Sequence, residues 1–156
     1  MDTPKKTGRY ERIFNQLEPL MKESNDPVSR MATIAAVLHH KMDYFFWTGF
    51  YLHRGNILTV GPYQGPVACQ ELKNNTGVCW AAFNQKKAVV VDDVEQFPGH
   101  IACDSRSKSE ITVPVYGADH EIKAILDVDA RELAQFDDTD ATFLNQIAAL
   151  VYEGLS

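Results

Sequence analysis

Three cysteines stand in this chain of 156 residues, Cys69, Cys79 and Cys103, separated by 10 and 24 positions. An odd, widely spaced set is not the disulfide framework of a small secreted domain, and in a reducing compartment these thiols stay free. It also lacks the Cys-x-x-Cys knuckle through which most zinc sites take two of their ligands. A zinc site that adds His100 to the cysteines remains the metal alternative. Taken singly, each cysteine reads as a small buried hydrophobe. The chemistry otherwise open to it is that of a nucleophilic or redox-active thiolate.

Glu110, Asp127 and Asp129 form a second group. Residues 109–116 and 121–129 read as strands joined by a turn at 117–120. A turn centred between Ala118 and Asp119 pairs Ile111 with Leu126, Val113 with Ala124 and Val115 with Ile122, which makes one wholly apolar face. The same register sets Glu110 opposite Asp127 on the other face, with Asp129 two residues along and on that face too. Like charges facing each other destabilise a sheet, so three carboxylates here need a reason. A solvated outer face, where salt screens the repulsion, is one. A pocket floor that binds a cation or holds a proton is another, because crowded carboxyls cannot all ionise and one keeps its proton near neutral pH. A divalent metal on the Asp-x-Asp oxygens is the third, here without the phosphate-binding glycine loop that often accompanies one. Trp47 and Tyr51 share one face of a strand at even spacing. They read as core, or as an apolar wall beside such a floor.

The elements that must position these groups follow from periodicity and punctuation. Tyr10, Ile13, Phe14, Leu17, Leu20 and Met21 fall at helical spacing, with Pro19 expected to kink the helix or shift its start. Asp26 and Pro27 read as N-cap and first residue of a second helix reaching about residue 41, with Met31, Ala32, Ala35 and Leu38 inward. Residues 44–53 and 57–60 are strands around an Arg54-Gly55-Asn56 turn, and 61–66 is a loop by its Gly and Pro content. A short strand at 67–72, a helix at 77–86 and a strand at 88–91 follow. Residues 97–108, with Pro98, Gly99 and His100, have no period and read as a long loop. Asp137 caps a final helix over 138–154, with Phe143, Ile147, Leu150 and Val151 as its apolar stripe. Hairpin-linked strands with helices before and after predict an α+β domain: a mainly antiparallel sheet over 44–129, with the helices at 10–41 and 138–154 packed on one side. The length suits one such domain spanning 1–156.

Composition narrows the partners. Hydrophobic residues make up 45% and charged residues 23%, as in ordinary folded proteins. Fifteen basic against twenty-one acidic side chains leave a net charge of −6, the wrong sign for nucleic acid or an anionic membrane. No apolar run approaches the roughly 20 residues of a membrane span, and none behind Met1 resembles a signal peptide. The expected location is the cytoplasm.

Several segments together resemble a known family. Trp47-Thr48-Gly49-Phe50-Tyr51-Leu52, Gly61-Pro62-Tyr63-Gln64-Gly65, Ala68-Cys69 and Gly77-Val78-Cys79 make the first half of the pattern. Phe97-Pro98-Gly99-His100-Ile101-Ala102-Cys103-Asp104, Ser107-Lys108-Ser109-Glu110-Ile111 and Leu126-Asp127-Val128-Asp129 make the second. They are similar to the free methionine-(R)-sulfoxide reductases, small enzymes built on a GAF domain. Trp80, where the family commonly has a small residue, and Asn74-Asn75-Thr76, in place of a glycine-richer lead-in, are departures.

The resemblance implies a GAF fold and thiol-dependent reduction of free methionine-(R)-sulfoxide, with no cofactor and no metal. Cys103 matches the catalytic cysteine, which passes through a sulfenic acid. Cys69 matches the resolving position, forming a disulfide that thioredoxin reduces. Cys79 takes a resolving or catalytic part. Glu110 is the expected proton donor to the sulfoxide oxygen, with Asp127 and Asp129 beside it to receive the substrate's α-ammonium. Trp47, with Tyr51, would pack on the S-methyl end. These carboxylates disfavour a thiolate, so Cys103 must draw help from backbone donors or from the substrate. A GAF-type sensor, binding a small ligand or responding to redox state without turnover, is the competing expectation. The oligomeric state is left open, a homodimer included.

Overall fold

Two aspartates, each just before a proline-bearing first turn, start the amino-terminal helices of this computed structural model, which describes residues 1–100 and 103–156. Ile101 and Ala102, part of the loop expected at 97–108, lie outside the described residues. The Asp2 side chain accepts the Lys5 N–H at 3.0 Å and opens α1 (Thr3–Met21), well before the apolar stripe that begins at Tyr10. Pro19 falls in the last turn of α1, where its missing N–H helps end the helix. Asp26 accepts the Val28 N–H at 2.9 Å and opens α2 (Pro27–Lys41), as predicted. Met31, Ala35 and Leu38 are buried, but Ala32 faces solvent and Ile34 takes the inward place.

Six strands follow: β1 (Trp47–Arg54), β2 (Ile57–Gln64), β3 (Glu71–Lys73), β4 (Val89–Val91), β5 (Ser109–Tyr116) and β6 (Ile122–Ala130). They form one sheet in the order β3-β2-β1-β6-β5-β4, every described pair antiparallel. Helix α3 (Gly77–Gln85) joins β3 to β4, and α4 (Asp138–Ala148) closes the chain. The fold is the expected α+β arrangement, with three departures. Residues 61–64, expected as loop, extend β2, because β3 pairs only with the other end of β2 and Pro62 needs no ladder bond on that edge. The short strand expected at 67–72 forms at Glu71–Lys73. The last helix stops at Ala148, although Leu150 and Val151 beyond it remain buried.

The closing hairpin is in a different register from the expected one. Ile111 pairs with Val128, Val113 with Leu126 and Val115 with Ala124, so Glu110 faces Asp129 and Thr112 faces Asp127. The turn is longer than expected: Gly117 N–H donates to Glu121 O at 2.8 Å, Asp119 Oδ1 accepts the Glu121 N–H at 3.0 Å, and His120 takes a left-handed φ of 65°. A register irregularity at Val115/Tyr116 completes the offset. The slip is two residues, an even number, so every side chain stays on its predicted face.

One sheet face is core. Phe50, Ile111, Val113, Val115, Leu126 and Val128 pack against α1, α2 and α4. There a buried polar knot joins the two ends of the chain: Asp140 accepts from Lys6 Nζ, Tyr10 OH and Tyr44 OH, each at 2.6 Å. The other face carries α3, whose Trp80 and Ala82 lie with Leu58, Leu72 and Ile125 in a second cluster. The surface that α3 leaves uncovered is where the carboxylates emerge.

Candidate functional site

Strand pairing assembles the site in rows. Trp47, Asp129 and Glu110 are successive neighbours across β1, β6 and β5; Gly49, Asp127 and Thr112 form the next row, and Tyr51 with Ile125 the one after. All of these side chains project from the face opposite the main core. Gly49 is what lets Trp47 lie along its strand. A Cβ there would stand 2.4 Å from Tyr63 Cβ and 2.6 Å from the Trp47 ring. The indole stacks with Tyr63 at 5.2 Å and Tyr51 at 5.8 Å between ring centres. Trp47 Nε1 donates to Pro66 O at 3.1 Å and Tyr51 OH to Cys69 O at 3.0 Å. The aromatic wall therefore also pins the segment that carries Cys69.

Helix α3 supplies Cys79. Thr112 Oγ1 donates to Val78 O at 3.1 Å, tying the start of the helix to β5, and Trp80 Nε1 donates to Leu72 O at 3.0 Å. Trp80, the departure from the family pattern, thus anchors α3 to β3 and leaves Cys79 facing the carboxylates. Cys79 Sγ and one oxygen each of Glu110 and Asp127 all lie within 4.8 Å of one another.

These groups line a pocket of about 600 Å³, part of it open to solvent, with Trp47 and Tyr51 as wall and Glu110, Asp127 and Asp129 as floor. Cys103 lines the pocket and is joined in a disulfide to Cys69, with Cα atoms 5.4 Å apart. Every site residue expected from the sequence is therefore drawn into one place: Cys69, Cys79, Cys103, Glu110, Trp47, Tyr51, Asp127 and Asp129. His100 borders the pocket as well, but among the described residues the one cluster with metal-ligand spacing is Cys79, Glu110 and Asp127. Phe46 and Asp104 line the pocket too. Neither shows in the periodicity, since alternation from Trp47 puts Phe46 on the other face of the strand expected at 44–53 and Asp104 lies in the loop.

The floor holds protons. Glu110 and Asp127 are each 6% exposed. Burial, then the charges of Asp127 and Asp129, push the Glu110 carboxyl well above its ordinary range. Burial lifts Asp127 to about 6, and burial with the Asp127 charge raises Asp129. The Cys79 thiol is pushed up by burial and by the nearby Asp127 and Glu110. Asp127 Oδ1 is buried and has no hydrogen-bond partner among the described residues. Proton donation, and acceptance of a cationic hydrogen-bond donor at Asp127, is the chemistry this floor suits.

A model described as GAF domain matches residues 28–155. The chain is 43% identical over 147 residues to GAF domain-containing protein A of Dictyostelium discoideum, across 94% of this chain and 92% of that one. It is 33% identical over 144 residues to the free methionine-R-sulfoxide reductase of Escherichia coli, across 92% of this chain and 87% of that one. Among solved structures, the free methionine-R-sulfoxide reductase of Neisseria meningitidis in complex with its substrate matches with a TM-score of 0.90. That match has 39% identity and covers 95% of this chain and 89% of the other. The expected GAF fold is the fold observed.

Proposed function

The chain belongs to the free methionine-(R)-sulfoxide reductases of the GAF domain family, and on that footing we propose that its pocket reduces free L-methionine-(R)-sulfoxide to methionine with Cys103 as nucleophile. The observation that carries this reading is that Cys103, disulfide-bonded to Cys69, lines the same pocket as Glu110, a buried carboxyl that burial and its acidic neighbours keep protonated.

The Cys103 thiolate attacks the sulfoxide sulfur while Glu110 delivers a proton to the sulfoxide oxygen. In the resulting adduct the substrate sulfur carries both the Cys103 sulfur and a hydroxyl. The hydroxyl passes to the Cys103 sulfur as the substrate's S–O bond and the new S–S bond break, methionine leaves with the freed electron pair, and Cys103 becomes a sulfenic acid. The Cys69 thiol then attacks that sulfur, water departs, and the disulfide forms. Thioredoxin, a dithiol, exchanges with it and returns both cysteines to the reduced state. In sum, one sulfoxide and one dithiol give methionine, water and one disulfide. Cys79, already buried and protonated beside Glu110 and Asp127, leaves the resolving step to Cys69.

Asp127 Oδ1, lacking a partner, suits the α-ammonium of a free amino acid, which a methionine within a peptide does not have. Asp129 stands beside it, and the S-methyl group packs on Trp47 and Tyr51. A thiol cycle of this kind suits a reducing, cytoplasmic setting. The test is turnover: free methionine-(R)-sulfoxide with thioredoxin and its reductase should consume NADPH, whereas the S epimer should not. Silence with the R epimer would overturn the reading in favour of a sensor.

A further inference from the structure

The loop that carries Cys103 is fastened to the start of β1 by side chains that the chemistry above does not use. The Arg106 guanidinium holds Asp104 in a fork, Nε to Oδ1 at 3.0 Å and Nη2 to Oδ2 at 2.7 Å. The Arg106 backbone N–H adds a third bond to Oδ1 at 2.9 Å. Arg106 Cζ also sits over the Phe46 ring, 5.0 Å from its centre, and Arg131 Cζ lies 5.5 Å from the same ring. Phe46 N–H donates to Asp129 O at 2.8 Å, so the ring rides on the strand pair that holds the pocket floor. An aromatic face attracts guanidinium, and a planar fork matches a carboxylate in a way an ammonium does not.

Charge explains why this matters. The pocket that Cys103 borders has Glu110 from β5, Asp127 and Asp129 from β6, and Cys79 from α3. Tyr51 from β1 and His100 from the cysteine's own loop complete its titratable groups. Asp104 is the next residue in the chain. Each carboxylate opposes a thiolate nearby, and a guanidinium favours one. The Arg106 fork holds the Asp104 carboxyl down to about 2, so Asp104 is ionised, and its charge is matched.

We propose that Arg106 is a positioning residue for Cys103: it cancels the Asp104 charge beside the sulfur and, through its seat on Phe46, holds the loop over the pocket. Arg131, on the same ring, leaves the cluster of Asp104, Arg106 and Arg131 with surplus positive charge. None of these side chains takes part in the disulfide, so the clamp serves the reduced protein as well. The assignment rests on Cys103 being the nucleophile, as proposed above.

The experiment follows iodoacetamide modification of Cys103, mapped by peptide mass, in reduced Cys69→Ser protein at several pH values. Arg106→Ala should slow modification near neutral pH by about 2- to 5-fold, the range of an exposed charge pair, and raise the apparent thiol pKa. Asp104→Asn should speed it by a similar factor, and the double variant should return close to the parent rate. Arg106→Lys keeps the charge without the fork, so its alkylation should stay near the parent while loop cleavage in limited proteolysis accelerates. Equal rates in all variants, or shifts of the same sign for Arg106→Ala and Asp104→Asn, would overturn the proposal. Alkylation is read without substrate, so a lack of sulfoxide turnover would count against the proposed reaction and not against this clamp.

Discussion

Glu110 faces Asp129 directly across the β5–β6 ladder, while Asp127 sits two pairs further along, opposite Thr112 and on the same face. The three carboxyls therefore make a triangle, and β1 brings Trp47 alongside Asp129 where a countercharge could have stood. Like charges in a triangle, walled by an indole and largely buried, stabilise one another only by keeping protons.

Stability should fall as pH rises across the carboxyl range. Carboxyls with raised folded-state pKa hold protons that the unfolded chain has released. Their contribution is fully present below the ordinary value of about 4. It is lost as pH rises through about 6, where Asp127 titrates, and further as Glu110 and Asp129 ionise. Melting temperature against pH should thus decline over this window in the parent and decline less in Glu110→Gln. A parent curve that climbs from pH 5 to 7 relative to Glu110→Gln would contradict the shifts.

Glu110→Gln should slow the chemical step itself. An amide cannot hand a proton to the leaving oxygen, and loss of a general acid typically costs about 100-fold or more. Single-turnover release of methionine measures this directly. Full-rate release from the variant would move the proton donor to Asp127 or Asp129.

The cysteines should separate cleanly by substitution. Cys103→Ser should release no methionine even once. Cys69→Ser should release one equivalent, leave a Cys103 sulfenic acid trappable by dimedone, and lose thioredoxin-supported cycling. Cys79→Ser should keep both the burst and cycling. A burst that survives in Cys103→Ser and vanishes in Cys79→Ser would exchange the two roles.

Gly49→Ala tests the aromatic wall. The added methyl meets Tyr63 Cβ and the Trp47 ring at distances no packing allows, so the indole must move. Overpacking of this kind costs about 1–3 kcal/mol, readable as a lowered denaturation midpoint. With Trp47 displaced, KM for the sulfoxide should rise more than kcat falls. An unchanged KM would detach Trp47 from substrate binding.

Much of this was legible in the residues because periodicity survives errors of register. The turn expected between Ala118 and Asp119 sits further along, yet the two-residue slip preserved parity, so Glu110, Asp127 and Asp129 still share a face. The helix caps at Asp26 and Asp137 were equally plain, each an aspartate whose side chain accepts N–H groups of the first turn. Residues 61–64 misled because Gly and Pro normally punctuate, and only the short reach of β3 explains why Pro62 is harmless in a strand. Phe46, Asp104, Arg106 and Arg131 escaped notice for a different reason. They meet where a loop folds against the ends of the two central strands, and no spacing along the chain encodes that meeting.

The Cys69–Cys103 bridge spans 34 positions and encloses β3, α3 and β4. Tying off a segment of that length restricts the unfolded chain by about 3–4 kcal/mol in the chain-entropy view. The oxidised protein is then the hardier form, and the reduced protein, the form that attacks the sulfoxide in the proposed reaction, the more fragile one. On the proposed reaction, each turnover carries the protein between these two stabilities. On that same proposal, a shortage of reductant leaves the protein in the more stable of its two forms.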